Sequence, residues 1–210
     1  MRVIAIDGPA GSGKSTIARR VAAALDLDHL DTGAMYRSVA FAVLRKGVDP
    51  ADADLVADLA RSLDIQLGEV VTVDGVDATV AIRGPEVTKT VSTVAANPEV
   101  RRELVGRQRA WAEAHGGGVV EGRDIGTVVF PHATLKVYLT ASDEERARRR
   151  AGESSVPAAE VAAVAADIAR RDRLDSSRTA SPLYAAVDAV VIDTTGVGID
   201  AVVEHVLSRL

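Results

Sequence analysis

Cysteine is absent from the 210-residue chain, which removes thiol catalysis, disulfide bridges and cysteine-based zinc sites together. Long apolar runs are missing as well. Val39 to Leu44 is among the longest, far short of the ~20 residues a membrane-spanning helix needs. The N-terminal Met-Arg-Val-Ile-Ala-Ile-Asp meets an acid at Asp7, unlike a secretory signal, and the expected compartment is the cytoplasm. Lysine is scarce: 4 of the 25 basic residues are Lys and 21 are Arg. Codon bias is one reading of that skew; the other is that arginine suits two-pronged grips on phosphate and carboxylate. Positive charge is not in excess either, since the net charge of −5 argues against a general nucleic-acid binder. What remains is 47% hydrophobic and 26% charged residues, the balance of a globular chain long enough to bury a core unaided.

Hydrophobic periodicity divides the chain into alternating strands and helices. Residues 2–7 read as a buried strand and 14–26 as a helix, with Ile17, Val21, Ala24 and Leu25 on one face. A short extended piece at His29-Leu30-Asp31 leads to a second helix carrying Tyr36, Val39, Val43 and Leu44, and a third spans Asp52 to Leu63. From Ile65 to Ile82 the period changes to two, with Gly68 and Asp74-Gly75 as turn punctuation, so a small antiparallel insertion is expected there, ending near Gly84-Pro85. Helical texture returns over 86–96 and 98–114. Strands are expected at 119–121, 135–139 and 187–192, with helices from the Ser142-x-x-Glu145 capping box, from Pro157 to about Arg173, and from Ile199 onward. Strands alternating with helices predict an α/β chain with a parallel sheet of about five strands flanked by helices.

Gly8-Pro9-Ala10-Gly11-Ser12-Gly13-Lys14-Ser15 fits G-x-x-x-x-G-K-[ST] at every fixed position, after a strand and before a helix. The glycines let successive N–H groups turn inward around a phosphate, and the helix N-terminus adds its positive end. Lys14 is placed to neutralise β- and γ-phosphate oxygens. Ser15, followed by Thr16, offers a hydroxyl to Mg²⁺. This predicts binding of a nucleoside triphosphate. No N-K-x-D guanine-reading motif occurs, which weighs against a GTPase and leaves a kinase needing a second anion site.

Two segments offer that second site. In Asp31-Thr32-Gly33-Ala34-Met35-Tyr36-Arg37 the arginine stands one helical turn beyond Gly33, where it grips an incoming phosphate or meets solvent. Glu121-Gly122-Arg123-Asp124-Ile125-Gly126 follows a core strand, where parallel sheets place ligands. Glu121 could hold metal-bound water there, with Arg123 facing phosphate and Asp124 facing an amine. The runs Arg146–Arg150 and Arg171–Arg178 are either solvated helix ends or further cation donors. The four histidines show no metal spacing and read as surface or structural; Trp111 reads as core packing.

Taken together, Asp7 to Ser15, Asp31 to Arg37, Gly122 to Pro131 and Arg171 to Arg178 closely resemble bacterial cytidylate kinases, the nucleoside monophosphate kinases of the P-loop fold. The resemblance runs over essentially the whole chain. It implies a three-layer P-loop fold in one domain, 1–210, with a β-rich insertion at 63–98 and a short lid at 151–156. It implies Mg²⁺-dependent transfer from ATP to CMP and to dCMP, with Lys14, Arg37, Arg123 and Arg178 as the catalytic cations. ATP would lie on residues 8–16 (Gly8, Pro9, Ala10, Gly11, Ser12, Gly13, Lys14, Ser15, Thr16), with Arg146 or Arg150 reaching it from the lid side. Arg37, Arg123 and Arg178 would take the monophosphate, Arg101 and Asp124 the cytosine edge with help from Thr32, and Ser92, Arg171 and Asp175 the ribose. Ser15 directly, and Glu121 through water, would hold the metal. Closure of the insertion and lid would exclude water, and a monomer without nucleic-acid or membrane partners is expected. A sugar-acid or shikimate kinase is the nearest alternative; a nucleotide-binding regulatory or RNA-binding module is a more distant one.

Overall fold

The computed structural model describes residues 1–153, 161–178 and 181–210. The start of a helix at Pro157 and the lid residues 154–156 fall outside the described residues. Two compact units are formed, one by Met1–Leu30 with Ala112–Leu210 and the other by Asp31–Trp111.

The first unit is built on a five-stranded sheet in the order β2-β6-β1-β7-β8. These strands are β1 (Arg2–Asp7), β2 (His29–Asp31), β6 (Gly117–Gly122), β7 (Leu135–Thr140) and β8 (Val190–Asp193). β1 pairs in parallel with β6, from Arg2 opposite Gly117 to Asp7 opposite Gly122, and in parallel with β7 on its other side. Covered on both faces, β1 carries no alternation: Val3, Ile4, Ala5 and Ile6 are all buried. Helix α1 (Lys14–Leu25) lays Ile17, Ala18, Val21 and Ala22 on this sheet, and α8 (Ile199–Leu207) adds Val202, Val203 and Val206 to the same core. Each such Ile, Leu or Val contributes about 1.5–3 kcal/mol of burial. Helices α6 (Asp143–Glu153) and α7 (Val161–Ser177) pack on each other.

Sequence expectation and structure differ at several boundaries. The last strand starts at Val190 and not at Val187, because Ala189 N–H turns back to the Ala186 carbonyl and Val187 is fully exposed. Gly117 and Gly118 lie inside β6. Gly117 has φ +135°, and a Cβ there would stand 2.1 Å from the Arg2 carbonyl oxygen, so the close approach of β1 and β6 demands glycine. Only half of the expected capping box forms. Glu145 N–H donates to Ser142 Oγ (3.3 Å), but Ser142 N–H donates to Thr195 Oγ1 (2.8 Å). The Glu145 carboxylate accepts instead from Arg148 and Arg149, and hydrogen bonding by Arg148 pulls it down to about 2.

The second unit holds α2 (Thr32–Arg45), α3 (Ala53–Ser62), α4 (Pro85–Ala96) and most of α5 (Pro98–Ala114). Asp31 caps α2 by accepting from Ala34 N–H (2.9 Å), and Asp52 caps α3 by accepting from Leu55 N–H (3.1 Å). The antiparallel insertion forms as β3 (Ile65–Gln66), β4 (Thr72–Val73) and β5 (Val76–Asp77). Asp74 and Gly75 both take positive φ, 49° and 74°, as a hairpin turn matched to strand twist requires. The alternation does not run to Ile82 as a strand. Ala81–Arg83 is a 3₁₀ turn, with Ile82 N–H on the Ala78 carbonyl, which buries Ile82 completely. Among the described residues no helix is long and apolar enough to cross a membrane.

Candidate active site

The phosphate loop sits at the C-terminal end of the central strand β1, between β6 and β7 in the sheet order. Gly8, Gly11 and Gly13 carry φ of 152°, 74° and 90°, so the loop takes a course that side chains would resist. A Cβ on Gly8 would meet the Leu139 carbonyl oxygen at 2.1 Å. Ser12 is fully buried and donates to the Pro9 carbonyl (3.0 Å), which tightens the turn. Lys14 Nζ donates to the same carbonyl (2.7 Å). Desolvation of its ammonium, reinforced by the Arg123 guanidinium, lowers Lys14 to about 7. Thr16 is exposed on the first turn of α1.

Two buried carboxylates flank the loop. Glu121, near the end of β6, accepts from Ser15 Oγ–H on Oε2 (2.8 Å) and from His29 on Oε1 (3.0 Å). Asp7, ending β1, accepts from Ile125 N–H (2.8 Å) and Gly126 N–H (2.7 Å) and so fastens the segment after Arg123-Asp124 to the central strand. Its burial outweighs those two bonds and raises it from 3.8 to about 6. A carboxyl raised on folding binds a proton that the unfolded chain has lost. Its contribution to stability is therefore complete below about 4 and is lost as pH rises through about 6. In urea unfolding, wild type is expected to lose stability relative to Asp7→Asn across that window; a difference independent of pH would contradict the burial argument.

Four arginines and two aspartates of the first unit converge beside the loop. Arg123 donates from Nη1 to the Gly8 carbonyl (2.9 Å) and stands 3.3 Å from Asp175 and 3.7 Å from Asp172. Arg178 Nε donates to the Asp175 carbonyl (3.2 Å), and its side chain is 6% exposed. Arg171 is lowered to about 10 by burial and by the neighbouring Arg123. Asp172 also pairs with Arg146, whose Nη1 reaches the Ala10 carbonyl (3.1 Å), and accepts from Ala10 N–H (3.4 Å). Arg150 is half-buried on α6. Asp124 is 4% exposed and does not cap the π-turn Ile125–Val129 that follows it.

The remaining expected residues lie in the second unit. Asp31 Oδ2 accepts from Arg37 Nη2 (2.7 Å), with Arg83 a further 3.8 Å away. Thr32 is buried at the start of α2 and Ser92 is buried on α4. Arg101 is 4% exposed, donates to the Ala95 carbonyl (3.3 Å) and lies over the Tyr36 ring at 5.4 Å.

The sequence assigns no role to Asp7 or Thr194, places Asp172 for pairing with arginines near it in the chain, and puts Arg149 on one helix face with Arg146 and Arg150, where the three close over a triphosphate or meet water. His29 was read as surface or structural, yet it holds Glu121. Asp172 and Asp7 are anchors of the arginine cluster and of the 124–126 segment. Arg149 and Thr194 meet beside the loop: Arg149 donates to Thr194 Oγ1 (2.8 Å), and Thr194 Oγ1 lies 3.3 Å from the Ser12 carbonyl. A Cβ on Gly13 would come within 3.5 Å of Arg149. The sequence signal for Arg149 is the helix face it shares with Arg146 and Arg150, and a solvated helix presents the same spacing.

A glycine-curled loop on the central strand, a serine hydroxyl on a buried carboxylate and an arginine cluster at the same strand ends define a P-loop kinase. The overall course of the chain is shared with an uncharacterized protein from Eubacterium ventriosum ATCC 27560, with a TM-score of 0.54, 11% identity and coverage of 100% of this chain and 98% of that one. A family model described as cytidylate kinase matches residues 4–210. A cytidylate kinase from Mycobacterium avium (strain 104) is 50% identical over 210 residues, covering 97% of this chain and 92% of that protein. A bifunctional pantoate ligase/cytidylate kinase from Parasynechococcus marenigrum (strain WH8102) is 50% identical over 216 residues, and this chain, covered to 99%, spans only 43% of its length. The chain belongs to the cytidylate kinase family.

Proposed function

We infer that the chain transfers the γ-phosphoryl group of ATP to CMP, giving ADP and CDP. The observation that carries this reading is the family match over residues 4–210, joined to a formed phosphate loop. An oxygen of the CMP phosphate forms the new bond to the γ-phosphorus, and the bond to the oxygen bridging to ADP breaks. The nucleophile is already anionic, so no general base is required. The protein's task is to hold donor and acceptor in line and to neutralise charge.

Lys14 and the amides of residues 8–16 take the ATP phosphates in this reading. Arg146, which donates to the Ala10 carbonyl, or Arg150 reaches ATP from the lid side. Arg37, Arg123 and Arg178 take the CMP phosphate, Arg101, Asp124 and Thr32 the base, and Ser92, Arg171 and Asp175 the sugar. Asp31, Asp172 and Asp175 keep these cations ordered through ion pairs, at 2.7 Å for Arg37 and 3.3 Å for Arg123. dCMP is a second acceptor. The chain works as one kinase domain and a cytoplasmic monomer.

The donor set suits Mg²⁺. Among the described residues no three carboxylates or histidines gather into a self-sufficient metal site. A serine hydroxyl beside one carboxylate fits an ion that keeps most of its water and binds through substrate phosphates. Ser15 would hold it directly and Glu121 through water; when bound, it supplies charge neutralisation to the transferring phosphoryl group.

The test is ADP production from Mg·ATP with CMP, dCMP, UMP, AMP and shikimate offered separately. Turnover with CMP well above UMP and AMP is expected. ADP release with shikimate alone, or with none of the acceptors, would overturn the assignment.

A further inference from the structure

Glu121 is held from two sides by unlike donors. Ser15 Oγ–H reaches Oε2 at 2.8 Å and His29 Nε2 reaches Oε1 at 3.0 Å. The carboxylate is 4% exposed and the imidazole 18% exposed. A carboxylate only accepts, so the contact requires the proton on Nε2. Glutamate has one more rotatable bond than aspartate, and a donor on its second oxygen restricts how the carboxylate turns about the Ser15 contact. His29 comes from β2 and Glu121 from the adjoining β6, both in the rigid sheet of the first unit, so the imidazole fixes the second oxygen from a backbone-anchored position.

We propose that His29 is a positioning residue for the kinase reaction, holding Glu121 so that Oε2 takes the Ser15 hydroxyl proton and the Ser15 oxygen keeps its lone pairs for the cation that accompanies ATP. A serine hydroxyl has one hydrogen and two lone pairs. With the hydrogen committed to Glu121, the oxygen can only present lone pairs. If Glu121 swings away, the hydrogen is released to seek another acceptor, and the oxygen becomes a poorer ligand. The histidine therefore acts at one remove: it touches neither nucleotide nor metal, but sets which face of Ser15 is offered. This rests on the assignment of Ser15 and Glu121 to the Mg·ATP site.

The experiment is equilibrium binding of ATP alone, with no acceptor present, by calorimetry in Mg²⁺ and again in EDTA, for wild type, His29→Phe, His29→Asn and His29→Gln. Wild type is expected to bind more tightly in Mg²⁺. His29→Phe keeps the ring without the donor and is expected to lose about tenfold of that Mg²⁺-dependent gain while binding in EDTA stays within about twofold. His29→Asn, too short to reach Oε1, is expected to show the same loss in a polar side chain, so the comparison survives a misfolded Phe variant. His29→Gln restores an N–H at similar reach and is expected to recover most of the gain. In a Ser15→Ala background the His29 substitutions are expected to have no further effect on the Mg²⁺ dependence. Equal weakening in Mg²⁺ and EDTA would reduce His29 to packing and overturn the proposal. So would unchanged binding, a Gln variant no better than Asn, or a wild type indifferent to Mg²⁺. Because no acceptor is present, these outcomes are independent of whether CMP is the substrate, which the nucleotide panel decides.

Discussion

Replacing Lys14 by alanine is expected to lower turnover with ATP and CMP by about a hundredfold or more, the scale of losing one preorganised charge from a phosphoryl-transfer site. The fold should survive, because burying the ammonium costs stability and its removal relieves that cost. Lys14 is lowered from 10.5 to about 7, chiefly by desolvation and next by Arg123. A lysine lowered on folding has shed a proton that the unfolded chain still binds. Wild-type stability therefore gains with rising pH from about 7 to about 10.5, and the cost of the buried ammonium is fully present below about 7. Lys14→Met is accordingly expected to be more stable relative to wild type at pH 6 than at pH 10 in denaturant unfolding, while its turnover is lost at both. A folded variant with wild-type turnover would remove Lys14 from the mechanism. A wild type no less stable than the variant at pH 6 would remove the desolvation argument. The same lowered value means that a bound triphosphate, by restoring the charge, takes up a proton above pH 7, so ATP affinity should fall as pH rises beyond that point.

The second large effect concerns the choice of base. Asp124→Ala is expected to reduce kcat/KM for CMP by about ten- to hundredfold while the value for UMP changes far less, the discrimination expected of one well-made contact to a base edge. Cytosine carries an exocyclic amine where uracil carries a carbonyl. An acid facing that position accepts from the amine and repels the carbonyl. Asp124 is buried and its side chain does not cap the turn that it opens. Its backbone carbonyl takes Val128 N–H (2.9 Å) and Val129 N–H (3.2 Å) instead. Asp124→Asn sharpens the test, since the amide can donate to a uracil carbonyl and should narrow the gap further from the UMP side. Equal losses on both nucleotides in both variants would count against a base-reading role and leave Asp124 a structural acid near Asp7.

The elements that periodicity located were those whose partners are close in sequence. The 3.6-residue spacing of Ile17 and Val21 marks α1, and Asp74-Gly75 marks the hairpin, because a helix face and a two-residue turn are local constraints. The alternation at 80–82 misled because it was three residues long. A 3₁₀ turn that buries Ile82 satisfies it as well as a strand does. β8 starts later than the apolar run suggests because the Ala189 N–H turns back to the Ala186 carbonyl, so its pairing with β7 begins at Val190 opposite Val137.

The sequence by itself determined the phosphate loop, the order of strands and helices and the family, since each resides in a contiguous run of residues whose backbone chemistry is local. Only the tertiary structure decided the supporting contacts. Nothing near His29 in the chain announces Glu121, 92 residues away, and nothing near Asp7 announces Ile125 and Gly126, 118 and 119 residues on. The spacing of Asp172 points to an arginine close by in the chain, whereas the fold carries it to Ala10 and Arg146. A carboxylate next to an arginine in sequence is visible in one dimension. A carboxylate whose partner lies on another strand becomes visible only once the parallel sheet has set the strands side by side.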